Sequence, residues 1–223
     1  MRTRRIVVVL AMLVAACVSS PARADDVVPP DWRGQEGSTF QAWDFLTSAN
    51  PAAPESLSNS YGDASATMSL GFLAAGYLET FEGRSGVWDL AQGAPTSTGE
   101  MRLSVANRPF NGPGSYKDLL IQVTFYLDIS GAPVVSVDGA SLVDSGSQMV
   151  EDVSGPGAWW LAWSLWHFEP NPLSETIVIA GNPDWGSVID QVVVDTICVP
   201  EPATMGLLGL SLAALAVRRR RAR

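Results

Sequence analysis

Between Asp118 and Ile129 the chain reads DLLIQVTFYLDI, with apolar residues at every second position. Leu119, Ile121, Val123, Phe125 and Leu127 fall on one side, and Gln122, Thr124 and Tyr126 on the other. Successive side chains leave a strand on opposite faces, so this period of two predicts a half-buried strand. Met101, Leu103 and Val105 alternate with Arg102 and Ser104 in the same way. Glu175-TIVIAG reads as another strand, and a further one is expected near Thr39 to Leu46. Pro133-VVSVDG and Ala140-SLVDS flank Asp138-Gly139, a dipeptide that favours tight hairpin turns, and are expected to pair with each other. Ile189-DQVVVDTI predicts a long, β-branched last strand, with Asp190, Val192 and Val194 on one face and Gln191, Val193 and Asp195 on the other.

Glycine and proline turns separate these runs: NGPG, SGPG, EPNP and GNPD. Asn50-PAAPES reads as a surface loop. Nothing longer has the period of an amphipathic helix. The pattern predicts an all-β fold: a single jelly-roll-like β-sandwich whose closing strand lies at a sheet edge.

Eight tryptophans punctuate the chain, four of them within GAWWLAWSLWHFEPNP. On a strand, Trp159 and Trp163 share one face with Leu161 and Leu165, and Trp160 and Trp166 share the other with Ala162 and Ser164. Two readings stand. The rings fill the core between sheets, or one face is an exposed aromatic platform on which sugar rings stack.

Composition and charge narrow the picture. Residues 25–199 number 175, enough for one domain with a substantial core. They hold 22 acidic residues against five basic ones (Arg33, Arg84, Arg102, Arg108 and Lys117), a net charge of −17 where the whole chain has −9. A domain this acidic does not suit nucleic acid, whose phosphates need basic partners, or an anionic membrane surface. The charge is compatible with divalent cations, high salt or simple solubility.

The arginines that soften the whole-chain charge lie at the two ends. MRTRR, an apolar run from Ile6 to Ala16 and the small-x-small site Ala22-Arg23-Ala24 form a secretory signal peptide, with cleavage expected before Asp25. Val14-Ala15-Ala16-Cys17 resembles a bacterial lipobox and offers a rival cut, with a lipid on Cys17. At the other end, Met205 to Val217 is an uncharged stretch of 13 residues. As a helix it spans about 20 Å, short against a hydrocarbon core of about 30 Å. Pro202, Ala203 and Thr204 lengthen it, and arginine stems snorkel at the far side. Arg218, Arg219, Arg220 and Arg221 supply a stop and a positive-inside signal. A core helix with a charged end is the alternative, but only Ser211 breaks the apolar run, and a core helix needs a polar outer face.

Pro200-Glu201-Pro202, the short apolar stretch and the terminal basic cluster, in that order, resemble the PEP-CTERM sorting domain of bacteria that make exopolysaccharide. The resemblance covers about residues 199 to 223. It implies that exosortase, a membrane-embedded cysteine protease, recognises Pro200, Glu201 and Pro202 and removes the tail. An export signal joined to such a tail is the usual pairing in that family. The resemblance also makes an extracellular polysaccharide a partner to consider.

Little in the body points to catalysis. His167 is the single histidine, and a zinc site needs several His or Cys ligands. No G-x-S-x-G elbow accompanies it. Paired carboxylates such as Glu79/Glu82 and Glu151-Asp152 are unremarkable in so acidic a chain. Asp31, Asp63, Asp138, Asp144 and Asp184 stand beside turn residues and keep a structural calcium open, although no D-x-D-x-D-G loop is present. Cys198, the one cysteine of the body, is either a thiol for attachment or pairing or an inert cysteine at the domain edge.

The expected organisation is a signal peptide at 1–24, a β-sandwich ectodomain at 25–198, and a sorting signal at 199–223 with a transmembrane segment at 203–217 and a basic tail at 218–223. The expected role is that of a non-enzymatic cell-surface or matrix protein without cofactor, reached through a single-pass membrane precursor. A carbohydrate-binding module using Trp159, Trp160, Trp163 and Trp166 is the alternative.

Overall fold

The structure, a computed structural model, describes residues 26–92, 98–108, 115–128, 131–153 and 155–199. The signal peptide, with Ala22 and Ala24, the Pro200-Glu201-Pro202 motif, the transmembrane segment and the arginine tail all lie outside the described residues.

Among the described residues the chain forms twelve strands and no helix. They are β1 (Ser38–Trp43), β2 (Ser56–Ser58), β3 (Ala64–Ser69), β4 (Gly76–Phe81), β5 (Arg84–Gln92), β6 (Glu100–Ala106), β7 (Tyr116–Leu127), β8 (Val134–Val137), β9 (Ser141–Asp152), β10 (Ala158–Phe168), β11 (Ser174–Ala180) and β12 (Gly186–Val199). Eight build one sheet in the order β2-β1-β12-β7-β10-β9, with β5 also paired to β12 and β4 to β5. The other four build a second sheet in the order β3-β6-β11-β8. All pairings are antiparallel.

The alternating residues read from the sequence form the core between these sheets. Leu119, Ile121 and Val123 of β7, Val192 and Val194 of β12, and Trp43 of β1 meet Ala66 and Met68 of β3, Met101, Leu103 and Val105 of β6, and Ile177 and Ile179 of β11. A smaller cluster forms on the outer face of the large sheet, where Val87, Tyr126, Trp159 and Val188 pack with Leu78 and Phe81.

Three expectations need correction. The closing strand is not at an edge: β12 runs between β1 and β7. The reason is in its composition. Twelve of its 14 residues are buried, and a strand covered on both faces belongs in the middle of a sheet. Nor do the segments around Asp138-Gly139 pair. The turn forms, with the Ala140 N–H donating to the Val137 carbonyl at 3.3 Å, but β8 pairs with β11 in the small sheet and β9 with β10 in the large one. Val137 turns into the core, while β9 is exposed along most of its length, so the turn passes the chain from one sheet to the other. Asp190, finally, does not share a face with Val192. A bulge between Ile189 and Gln191 breaks the alternation, and the Asp190 carboxylate meets Arg84, which lies over Trp159 on the outer side.

The β4–β5 hairpin was not legible from turn chemistry. Its two-residue loop is Glu82-Gly83, with φ of 45° and 84°. Two consecutive positive φ values are the signature of a type I′ turn, for which Asn-Gly or Asp-Gly is the usual sequence.

Candidate functional site

β10 carries the tryptophan-rich segment, and its two faces meet different surroundings. Trp159 is fully buried on the outer side. Its ring stands edge-on to Tyr126 at 5.3 Å and to Phe81 at 6.2 Å, and its N–H donates to the Glu82 carbonyl at 3.0 Å. The Arg84 guanidinium lies 4.9 Å from the ring centre, held there by Asp190 at 2.6 Å and Glu151 at 3.0 Å. Trp166 joins the main core beside Phe168 and donates its N–H to the Ser164 hydroxyl at 2.9 Å. Trp160 and Trp163 are half-buried and fall on opposite faces. The Trp163 ring is packed over Gly146, where a Cβ would stand 2.7 Å from it. The four rings therefore do not share one exposed platform. Trp185, in the turn before β12, is the one tryptophan that is largely exposed, at 54%.

Part of the outer face is covered by the segment that precedes β1. The Val28 N–H donates to the Gln122 side chain at 3.0 Å, and Gln122 donates to Asp26 at 2.9 Å. Arg33 lies 4.4 Å over the Phe40 ring, pairs with Asp26 and binds Asp195 through two nitrogens, at 2.6 and 2.5 Å. Asp195 is fully buried; burial pushes its carboxyl up and Arg33 draws it back.

The remaining candidates are dispersed. His167 Nδ1 lies 2.7 Å from Asp118 Oδ1, and its ring tilts against Tyr116 at 5.3 Å. Asp31, Asp63, Asp138, Asp144 and Asp184 do not converge. Among the described residues no group of three His, Cys, Asp or Glu side chains is placed to hold a metal ion. Cys198 is buried in β12, with its sulfur 3.6 Å from Asn171 Oδ1. Burial pushes its thiol up, away from the reactive thiolate.

A polar cluster that the sequence reading passed over lies at one end of the core. Lys117 at the start of β7, Asn107 just after β6 and Glu175 in β11 are all buried. Lys117 Nζ donates to the Asn107 side-chain oxygen and to Glu175 Oε1, the latter at 2.5 Å. Asn107 Nδ2 donates to Glu175 Oε2 and, at 3.1 Å, to the Pro172 carbonyl. The signal was available in the alternation. Lys117 continues the inward series Leu119, Ile121, Val123; Glu175 continues Ile177, Ile179; Asn107 continues Met101, Leu103, Val105. Each is a polar residue at an apolar position. Lys117 is moreover the only lysine in the chain.

Comparison with protein families places the PEP-CTERM protein-sorting motif at residues 199–221, so the match starts at the last residue of β12. The motif implies export and processing by exosortase at the membrane. Neither the curated proteins nor the solved structures include one that matches this chain.

Proposed function

We propose that this chain is a non-enzymatic surface or matrix protein, in which a β-sandwich is carried through the membrane and held by its C-terminal tail until exosortase cuts near Pro200-Glu201-Pro202. The observation that carries this reading is the sorting motif at residues 199–221, which follows the last strand with no intervening linker. The buried Cys198, the hydrogen-bonded, partly exposed His167, and the pairing of Arg84 and Arg33 with the buried carboxylates of Asp190 and Asp195 support a structural rather than a chemical use of those groups.

The test is the intact mass of the protein taken separately from membrane and culture fractions. A polypeptide beginning at Asp25 and ending near Pro200 to Pro202 is expected. A mass that keeps Arg223 in both fractions would make the tail a permanent anchor and end the processing reading. A diacylglyceryl mass on Cys17 would replace the signal-peptidase cut by a lipoprotein cut.

A carbohydrate-binding role is the second reading. It is supported by half-buried Trp160 and Trp163 and by exposed Trp185, three rings at the surface of a strand-built domain. Titration with the polysaccharide of the producing cells should then quench tryptophan emission, and Trp185→Ala should weaken the response. No quenching with that polysaccharide would remove this reading and leave the first untouched.

A further inference from the structure

We infer that Lys117 and Asn107 become joined by an amide bond between their side chains, with Glu175 as the acid–base residue of the reaction. The three side chains have the placement this chemistry needs. Lys117 Nζ, the nucleophile, lies against the Asn107 carboxamide, whose carbon it would attack. One carboxylate touches both nitrogens that change partners: Glu175 Oε1 holds Lys117 Nζ at 2.5 Å, and Oε2 accepts from Asn107 Nδ2, the leaving group. Holding nucleophile, electrophile and acid–base group together replaces an improbable encounter by a step within one molecule.

The surroundings favour the reactive forms. Burial pushes the Lys117 ammonium down and the Glu175 carboxyl up, although each partner's charge opposes the shift. Both shifts make it easier to move a proton from the amine to the carboxylate. Lys117 and Glu175 are fully buried, so water is kept from competing for the carboxamide carbon.

The step balances without a co-reactant. Glu175 takes one proton from the Lys117 ammonium. The freed lone pair forms the Nζ–Cγ bond, and Glu175 gives that proton to Nδ2 as the Cγ–Nδ2 bond breaks and ammonia leaves. The new bond carries Nζ with a single hydrogen, and the second Nζ proton stays on Glu175 as the acid. Nothing is oxidised or reduced.

The bond would have structural value in this chain. Lys117 belongs to the eight-stranded sheet, whereas Asn107 and Glu175 belong to the strand ends of the four-stranded one. An amide between them ties the two sheets together covalently. Cys198 is the one cysteine among the described residues, so no disulfide between them could do the same.

Because Lys117 is the only lysine, the test is simple. The protein purified from its producing cells is denatured and digested with a protease that cuts only after lysine. The linked protein resists cleavage, and its mass is lower by one ammonia than its terminal residues require. Trypsin does not cut between Arg108 and Pro109, so the linked protein gives one peptide that starts at Leu103, runs past the uncut Lys117, and is lighter by one ammonia. Glu175→Gln, which keeps the shape but removes the acid–base group, should restore both the full mass and the cut. Cleavage of the wild-type protein at Lys117 overturns the proposal and leaves a buried ion pair. So does an ammonia loss accompanied by that cleavage, since the loss then comes from another asparagine such as Asn111 before Gly112. The wild-type digest decides even if the variant does not fold.

Discussion

Trp43→Ala is expected to lower the stability of the domain by about 3–5 kcal/mol, the range for deleting a fully buried aromatic side chain. Trp43 has no exposed surface, and its indole N–H donates to the Ala52 carbonyl at 3.3 Å. Ala52 in turn exchanges two backbone hydrogen bonds with Ala66 of β3, at 2.7 and 2.9 Å. The ring of a large-sheet strand therefore supports a bridge to the small sheet. Its removal leaves a cavity in the core and takes from the Ala52 carbonyl one of its two donors, the other being the Ala66 N–H. Domains of this size are stable by only about 5–15 kcal/mol, so the loss takes a large share of the total. Chemical denaturation of the two proteins measures it. A difference below about 1 kcal/mol would mean that the neighbouring side chains close over the gap, and that the site is not the rigid core position described.

Arg33→Ala is expected to cost a similar amount, about 3–5 kcal/mol at neutral pH, for a different reason. Arg33 itself is partly exposed, but it is the cation beside Asp195, whose side chain is fully buried. Without Arg33, burial acts on Asp195 unopposed and raises its folded-state proton affinity further above that of the unfolded chain. A carboxyl with a raised folded-state value adds stability at low pH and loses it as the pH rises through that value. The gap between variant and wild type should therefore be widest near neutrality and narrow as the pH falls into the carboxylate range. Arg33→Ala combined with Asp195→Asn removes the orphaned charge and should recover most of the loss. A deficit independent of pH would assign the effect to lost packing of Arg33 on Phe40 instead.

The strands with clean alternation were legible: β6 and β11 alternate between core and surface as the period of two requires, while β7 falls in place as a strand but is buried on both faces rather than half-buried, since Gln122, Thr124 and Tyr126 are covered as well. Less was legible where local chemistry and tertiary context disagree. The Asp138-Gly139 turn is present, yet its arms join different sheets, since pairing depends on which edges are free and not on the turn alone. The run of β12 was legible as a strand, but its bulge at Asp190 and its central position were not. Both depend on partners far along the chain. The tryptophans split between two clusters because β10 has packing on both of its faces. The Lys117 cluster joins residues 10 and 58 positions apart along the chain. Parity marked each of them as inward, but only the packing of the two sheets brings them into one place. The tail motif needed no folding context at all, since a sorting enzyme reads it as a linear address.

The central position of β12 also orders events in time. A protein threaded through a membrane emerges from its N-terminal end first, and β1, β5 and β7 all await the same late partner. Until residues 186–199 have crossed, the large sheet is left in three separate pieces with open edges, and the long-range pairings that close it are the slow kind. Folding is thereby deferred to the end of translocation, when the sorting motif that starts at residue 199 has itself arrived at the bilayer. The chain stays threadable for as long as it is being threaded, and it becomes compact at the place where its anchor is to be cut.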